Sequence, residues 1–211
     1  MESYLDSAVQ HFGQIELLIF CSGGIIFGAD VEGIVEILDA ENTTIEKLPD
    51  LPELIRDDLE GFTKFRNRVL EVDEELAVIS LNHQLNLVVP GGHNISAAED
   101  NQVIVIENKY GYLGIQVDQI DTIINLEIQH IDPVPDFVAD RIEVESLWGM
   151  GKASKPTEML TIDEQGIGDL IMLIELNEIL PDERLRSLQT IAYSEFKGAS
   201  ESLGFEVNSD S

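Results

Sequence analysis

The alternation of apolar and polar positions predicts a chain built mainly of short β-strands. The clearest stretch covers residues 103–137. An apolar run at 103–106 and a second at 110–117 flank a polar turn at 107–109, which predicts a β-hairpin. Strand-like residues continue over 118–126, and prolines then end the stretch because proline stops a helix or a central strand.

A second hairpin is predicted near the N-terminus. The apolar runs 15–22 and 25–38 flank Gly23 and Gly24, a pair typical of a tight turn. The second run is predicted to be one strand with a bend at 28–30. Further strands are predicted over 62–72, 76–81, 140–148, 158–166 and 167–176. Many short strands joined by glycine turns favour an all-β barrel or sandwich.

The segments between these strands are predicted to be turns, loops and a little helix. Apolar positions in 53–62 predict one or two helical turns that end at Gly61. The polar run 73–75 is expected to be an acidic turn. Residues 83–99 and 149–156 are expected to be loops.

The two ends of the chain differ from its β-rich centre. Residues 1–14 are expected to be a tail or a short helix. Residues 181–211 are predicted to form a C-terminal helix, since Leu185, Leu188 and Ile191 follow helical spacing, and then a disordered end from about Val207.

Composition indicates a globular protein that neither spans a membrane nor enters the secretory pathway. The chain has 211 residues with 44% hydrophobic content, enough to bury a core. No apolar run reaches the roughly 18 to 20 residues that span a bilayer. The N-terminus lacks the basic start and apolar segment of a secretory signal, so a cytoplasmic location is expected.

The charge balance is the unusual global feature. Forty-one acidic residues face twelve basic ones, for a formal net charge of −29. This argues against binding to nucleic acid or to an anionic membrane, because both require a positive surface. A saline native environment and a basic partner both remain open as explanations.

No constellation of residues indicates catalysis. Cys21 is the only cysteine, so no intramolecular disulfide can form, and the four histidines lack the spacing of a metal site. The chain has no glycine loop of the phosphate-binding type. We therefore expect no enzyme activity, no cofactor and no metal, and we assign no catalytic residue.

The order of the segments resembles the CheW-like domain of bacterial and archaeal chemotaxis. The similar segments are FGADVEGIVEIL at 27–38, LPDLPELIRDDLEGFTKFRN at 48–67, ELAVISL at 75–81, YGYLGIQVDQIDTIINLEIQHIDPVPDF at 110–137 and LIMLIELNEIL at 170–180. Together they cover most of the chain, so residues 15–180 are expected to form one CheW-like domain.

The resemblance implies two packed five-stranded SH3-like β-barrels and an adaptor without catalysis. Such proteins link the cytoplasmic tips of chemoreceptors to the regulatory domain of a CheA-type histidine kinase. The positions that match the family's contact segments are Ile34, Glu36, Gly61 and Arg66. Because Ile34 and Glu36 differ by two positions, both are expected on one face of a strand, together with Gly61 and Arg66 on the receptor-facing surface.

The chain also departs from the family pattern. Asn67 and Ser80 replace a usual glycine and a usual aspartate, and about four residues are inserted near 72–75. The change beside Arg66 leaves open a role in another two-component pathway, such as type IV pilus motility. Two alternatives come from other classes of protein. One is a ligand-binding β-barrel outside chemotaxis, and the other is a hydrolase that uses the acid clusters.

Overall fold

The computed structural model describes residues 13–39, 43–47, 59–68, 71–87, 102–135, 146–153, 156–160 and 169–191. The strands in these ranges are β1 (Gln14–Ser22), β2 (Ile25–Asp30), β3 (Ile34–Leu38), β4 (Leu59–Asn67), β5 (Val72–Ser80), β6 (Gln102–Asn108), β7 (Gly111–Val117), β8 (Gln119–Glu127), β9 (Ile131–Asp132), β10 (Leu147–Lys152) and β11 (Leu170–Ile174). The helices are α1 (Leu81–Gln84) and α2 (182–191), with 3-10 turns at Val31–Gly33, Ile128–His130 and Leu176–Glu178. No helix in these ranges has the length and apolarity to cross a bilayer.

The first sheet closes on itself through one bent strand. Its strand order is β8-β1-β2-β11-β10-β9. The edge strands β8 and β9 are separated in sequence only by the 3-10 turn Ile128–His130. They are therefore two halves of one strand that meets both ends of the sheet, which makes the first barrel five-stranded.

The second sheet, in the order β3-β6-β7-β5-β4, closes by a different device. Beyond β3, Glu46 forms an isolated antiparallel bridge with Phe62 in β4. The backbone N–H of each donates to the carbonyl of the other, with N···O distances of 2.7 and 2.9 Å. We call this junction between β3 and β4 the seam of the second barrel.

The two barrels share a core. Side chains from both sheets meet in one buried cluster that includes Phe20, Phe27, Ile104 and Ile115, and each barrel has a smaller cluster inside it. In β1, Leu17 and Ile19 fill the first barrel, while Leu18 and Phe20 face the shared core. A strand buried on both faces explains why its sequence is almost continuously apolar. The expectation of two packed SH3-like barrels is confirmed.

The C-terminal helix is also confirmed over its described part. Leu185 and Leu188 of α2 are buried in the shared core. At the hairpin between β6 and β7, Lys109 forms an ion pair with Asp182, and Gln189 donates to the carbonyl of Tyr112. The helix is thus fixed both by apolar burial and by polar contacts.

The expectation of a single strand over 25–38 was wrong. The run is split into β2 and β3, which belong to different sheets, and the chain turns at Val31–Gly33 rather than at 28–30. Asp30 stabilises this turn because its Oδ1 accepts the N–H of Glu32 at 2.9 Å. The turn is where the chain passes from the first barrel to the second.

Several other local predictions were also wrong. The predicted strand 62–72 is interrupted by turn residues at Arg68 and Glu71, and residues 158–160 are not in a strand. Residues 73–75 lie inside β5, where Asp73 pairs with Arg66 and Glu75 with Lys64 across the strands. Residues 59–61 belong to β4 rather than to a helix, and 149–152 belong to β10 rather than to a loop. The predictions for 1–12, 53–58, 140–145, 161–168 and the end from Val207 fall outside the described residues.

Candidate functional site

Three of the four predicted contact residues lie at or near the seam of the second barrel, while Ile34 borders a cleft between the barrels. Ile34 and Glu36 are in β3, and Gly61 and Arg66 are in β4. These two strands are far apart in sheet order but adjacent across the seam. The structure therefore brings both predicted segments to one side of the second barrel.

Ile34 and Glu36 do not share a face, contrary to the expectation from their spacing. A β-bulge shifts the register of β3 against β6, so that Ile34 pairs with Ile106 but Glu36 pairs with Val105. Neighbouring residues of one strand point to opposite faces. Ile34 therefore packs on the shared core with Ile106, whereas Glu36 lies on the side of Val105.

The charged residues near the seam are held by ion pairs. Arg68 donates from Nη2 to Oε1 of Glu36 at 2.7 Å. Arg66 donates from Nη1 to Oδ1 of Asp73 at 3.1 Å and from Nη2 to the carbonyl of Glu71 at 3.1 Å. The family resemblance indicated Arg66 but not Arg68. The alternation of exposed residues in β4, continued one residue past its end, places both arginines on the solvent side.

Gly61 has a structural role that its position in the sequence did not reveal. A Cβ at this position would lie 2.5 Å from the carbonyl oxygen of Glu46 and 2.7 Å from Cγ2 of Ile45. Only a residue without a side chain lets the segment after β3 approach β4 closely enough to bridge. Gly61 thus stabilises the seam, and a contact with a partner is not needed to explain it.

Apolar side chains are exposed on the strands beside the seam. Val35 and Ile37 in β3 are 46% and 38% exposed, and Val72 in β5 is 47% exposed. Val72 pairs with Asn67, next to the two arginines. Apolar residues rimmed by charge are typical of protein contact surfaces.

A cleft of about 230 Å³ opens between the two barrels. Its apolar lining comes from both barrels and includes Ile34, Ile106, Ile174 and Leu176. Its polar lining consists of Asp30, Glu32, Glu175 and Asn177. Ile34 thus borders the cleft, while Glu36 and Arg66 lie outside its lining.

One carboxylate near the seam has an altered acidity. Burial raises the pKa of Glu75 to about 7, with a smaller rise from Glu46 that Lys64 opposes. Oε1 of Glu75 lies 3.8 Å from Nζ of Lys64, and its Oε2 is buried without a hydrogen-bond partner among the described residues. Glu75 therefore changes charge near neutral pH.

A second polar cluster fixes the turns at one end of the first barrel. Asp118 accepts the N–H of Gly23 at 2.7 Å and the Nδ2 of Asn82 at 2.8 Å, and Ser22 donates to Oδ1 of Asn82. Asp118 has the turn-stabilising role expected from its chemistry. Burial and then the Asp118 charge raise the pKa of the Cys21 thiol, which disfavours the reactive thiolate.

The described residues contain no group of three or more histidine, cysteine or acidic side chains that could hold a metal ion. The arrangement near the seam and the cleft supports contacts between proteins better than bond-breaking chemistry.

Comparison with known proteins agrees with this description. The family model of the CheW-like domain matches residues 16–184. The crystal structure of the scaffolding protein TtCheW from Thermoanaerobacter tengcongensis is similar in fold, with a TM-score of 0.56. The two chains are 19% identical, and the alignment covers 81% of this chain and 94% of that one. No curated protein matches the chain in sequence.

Proposed function

The chain belongs to the CheW-like domain family of chemotaxis scaffolds, and from this premise we propose that it couples the cytoplasmic tips of chemoreceptors to the regulatory domain of a CheA-type histidine kinase. It does so without catalysing a reaction, and it acts in the cytoplasm. The observation that carries the proposal is the cleft between the barrels, which adjoins β3 and its exposed apolar residues.

The geometry suits a helix better than a small ligand. A receptor tip is a helical hairpin, and an apolar slot accepts the apolar face of a helix. Ile34 lines the slot, and the exposed Val35 and Ile37 extend the apolar surface along β3. Inside the barrels, the described side chains form packed clusters, which favours docking on the outer surface.

The family match at Arg66 supports a second contact at the seam. Its guanidinium is largely exposed and is held in place by Asp73 and by the carbonyl of Glu71. A fixed guanidinium can bind a partner carboxylate or carbonyl with little loss of side-chain freedom. Charge reversal at Arg66 is therefore expected to weaken docking.

The test is a binding measurement by calorimetry with a chemoreceptor tip fragment and a CheA-type regulatory domain from the same genome. Ile37→Asp and Arg66→Glu should each weaken binding to at least one of these partners about tenfold or more. Ile123→Asp is the matched control, because Ile123 is 51% exposed on β8, a strand of the first barrel. Wild-type protein that binds neither partner would refute the proposal.

The second candidate function is a scaffold in another two-component pathway. It is favoured by Asn67, which stands beside Arg66 where the family usually has glycine. Asn67 is buried, and its Nδ2 donates to Oε1 of Glu74 and to the hydroxyl of Tyr112. The glycine that is usual in the family at this position could make neither bond. The end of β4 beside Arg66 is therefore held by side-chain hydrogen bonds that a glycine would not provide. A kinase and receptor pair for type IV pilus motility, measured in the same assay, would distinguish the two pathways.

A further inference from the structure

Asn67 ties the end of β4 to two neighbouring strands of the second barrel. It is the last residue of β4, and only 4% of it is exposed. Its Nδ2 donates to Oε1 of Glu74 in β5 at 2.8 Å and to the hydroxyl of Tyr112 in β7 at 3.0 Å. The ring of Tyr112 packs edge-on against Phe65 in β4, with 5.0 Å between the ring centroids. One buried side chain therefore fixes the end of β4 against β5 and β7.

Two arginines flank Asn67 and face solvent. Burial alternates along this part of the chain, so that Phe65 and Asn67 are buried, whereas Arg66 and Arg68 are exposed. The two arginine side chains are 65% and 83% exposed. Residues two positions apart on an extended chain lie on one side, roughly 6 to 7 Å apart. Asn67 is the residue between them, so the position of its backbone sets where both arginine side chains originate.

Surface contacts hold both guanidiniums without using all their donors. Arg66 donates to Asp73 and to the carbonyl of Glu71. Arg68 donates through Nη2 to Glu36. A guanidinium has five N–H donors, so each of the two keeps several for a partner. Exposed ion pairs contribute little stability, so a partner's acceptor can share both guanidiniums without disrupting a buried contact.

The row of exposed side chains that contains these arginines is basic, although the chain as a whole is strongly acidic. Only twelve of the 211 residues are basic, yet Lys64, Arg66 and Arg68 occupy three successive exposed positions. Glu75, the ion-pair partner of Lys64, is partly protonated at neutral pH because burial raises its pKa to about 7. The row therefore favours carboxylates. Side chains one turn apart on a helix have Cβ atoms about 5 to 6 Å apart, close to the spacing of the two arginines.

We propose that Asn67 is a positioning residue: it sets the spacing of Arg66 and Arg68 so that the two guanidiniums together bind two carboxylates one turn apart on a partner helix. The inference rests on the proposed function in taking a chemoreceptor helix as this partner. It adds Arg68, which the family resemblance did not indicate, as a second contact residue. It also gives a use to the asparagine that replaces the family's glycine, because a glycine could not hold the end of β4 in this way.

The first measurement tests the positioning without any partner. It is the NMR order parameter of the backbone amides of Arg66 and Arg68 in the full ¹⁵N-labelled chain. Asn67→Ala removes both hydrogen bonds without adding the backbone freedom of a glycine. It should lower the two order parameters from about 0.85 to below about 0.6. Values that stay at the wild-type level would overturn the inference.

Two tyrosine variants provide a matched pair. Tyr112→Phe removes one of the two acceptors of Asn67 but keeps the aromatic ring, so it should lower the same order parameters less than Asn67→Ala does. Tyr110→Phe removes a hydroxyl from the same hairpin, one that accepts from Arg186 in α2 at 3.3 Å, and should leave them unchanged. Equal effects of the two tyrosine variants would show that the hydrogen bond to Asn67 is not the cause.

The second measurement is calorimetric binding of a chemoreceptor tip fragment from the same genome. Asn67→Ala should weaken binding about tenfold, because misplaced guanidiniums lose part of a charge-assisted contact. In a protein that already carries Arg66→Ala and Arg68→Ala, adding Asn67→Ala should change binding by less than about twofold. Equal weakening in both backgrounds would show that Asn67 does not act through the arginines and would refute the inference.

The two measurements distinguish the inference from the adaptor proposal. If the receptor fragment binds the wild type and Asn67→Ala equally well, the inference is wrong and the adaptor role stands. If Asn67→Ala lowers the order parameters but the wild type binds neither signalling partner, the adaptor role and the helix contact are both wrong, and Asn67 keeps only its role in fixing the two arginines.

Discussion

Arg68, directly after β4, and Glu36, in β3, form an ion pair of 2.7 Å across the seam of the second barrel. The strands that carry them are the two edges of a five-stranded sheet, so the pair joins its ends through side chains. The Arg68 side chain is 83% exposed, which limits the energy of the pair.

The first prediction concerns this pair. Arg68→Ala and Glu36→Ala in a double-mutant cycle should give a coupling free energy of about 0.3 to 1 kcal/mol in urea unfolding at low salt. The coupling should fall at high salt because the arginine is exposed. A coupling that is unchanged by salt would contradict the ionic interpretation.

The second prediction is that Gly61→Ala destabilises the protein by roughly 2 kcal/mol or more, because the new Cβ would overlap the backbone of Glu46. Gly24→Ala is the control. Gly24 has a positive φ of 75° but no atom within 4 Å of an added Cβ. The Gly24→Ala change should therefore lower the free energy of unfolding by only about 1 kcal/mol. Urea midpoints compare the two, and equal losses would show that the close approach is unimportant.

The third prediction follows from the raised pKa of Glu75, which lies at about 7 instead of 4.5. The folded state retains a proton on Glu75 that the unfolded state has lost, so this group's contribution to stability falls as the pH rises between about 4.5 and 7. Glu75→Gln should therefore gain stability over the wild type through this window, on the order of 1 kcal/mol above pH 7.

The measurement for Glu75 is the free energy of unfolding of both proteins at several pH values. Glu107→Gln, an exposed change in β6 of the same barrel, is the control and should show little difference. A difference between Glu75→Gln and wild type that stays constant with pH would contradict the assignment.

The fourth prediction concerns Asp118, which connects the β1–β2 turn to α1 through Gly23 and Asn82. Asp118→Ala should destabilise by roughly 1 to 3 kcal/mol, because it leaves partly buried donors unpaired. Asp132→Ala removes an exposed aspartate whose ion pair with Lys152 is on the surface, and should change stability by less than about 0.5 kcal/mol. Thermal unfolding of both variants checks this.

The fifth prediction arises from the net charge of −29. Like charges repel each other in the compact state, and salt screens this repulsion over a Debye length of about 3 Å at 1 M. The unfolding temperature should therefore rise as sodium chloride increases from 0.1 to 1 M. A fall over this range would show that the ion pairs at the seam outweigh the repulsion.

Sequence patterns predicted the strands well where burial determines the pattern. In β6, Val103 and Val105 fill the second barrel while Ile104 and Ile106 face the shared core, so the apolar run is continuous. The hairpin with β7 was predicted for this reason. The order of the family's segments supplied the two-barrel arrangement, which periodicity alone could not.

The errors occurred where tertiary pairing overrides local preference. The acidic run 73–75 has the composition of a polar turn. In the structure it lies inside β5, where Arg66 and Lys64 on the neighbouring strand offset the charges of Asp73 and Glu75. The bulge between Ile34 and Glu36 leaves no mark in the composition, and it reversed the predicted face of one contact residue. The acidic cleft was missed because its residues come from segments that are remote in sequence.

The strand order also determines when each barrel can be completed during synthesis. Strands β3 to β7 of the second barrel are contiguous in the chain, whereas β2 of the first barrel pairs with β11 near the other end. During synthesis on the ribosome, the second barrel therefore has all its strands while β2 of the first barrel still lacks its partner β11. The edge of β2 that pairs with β11 therefore stays unpaired until β11 emerges, so the first barrel can be completed only after the second.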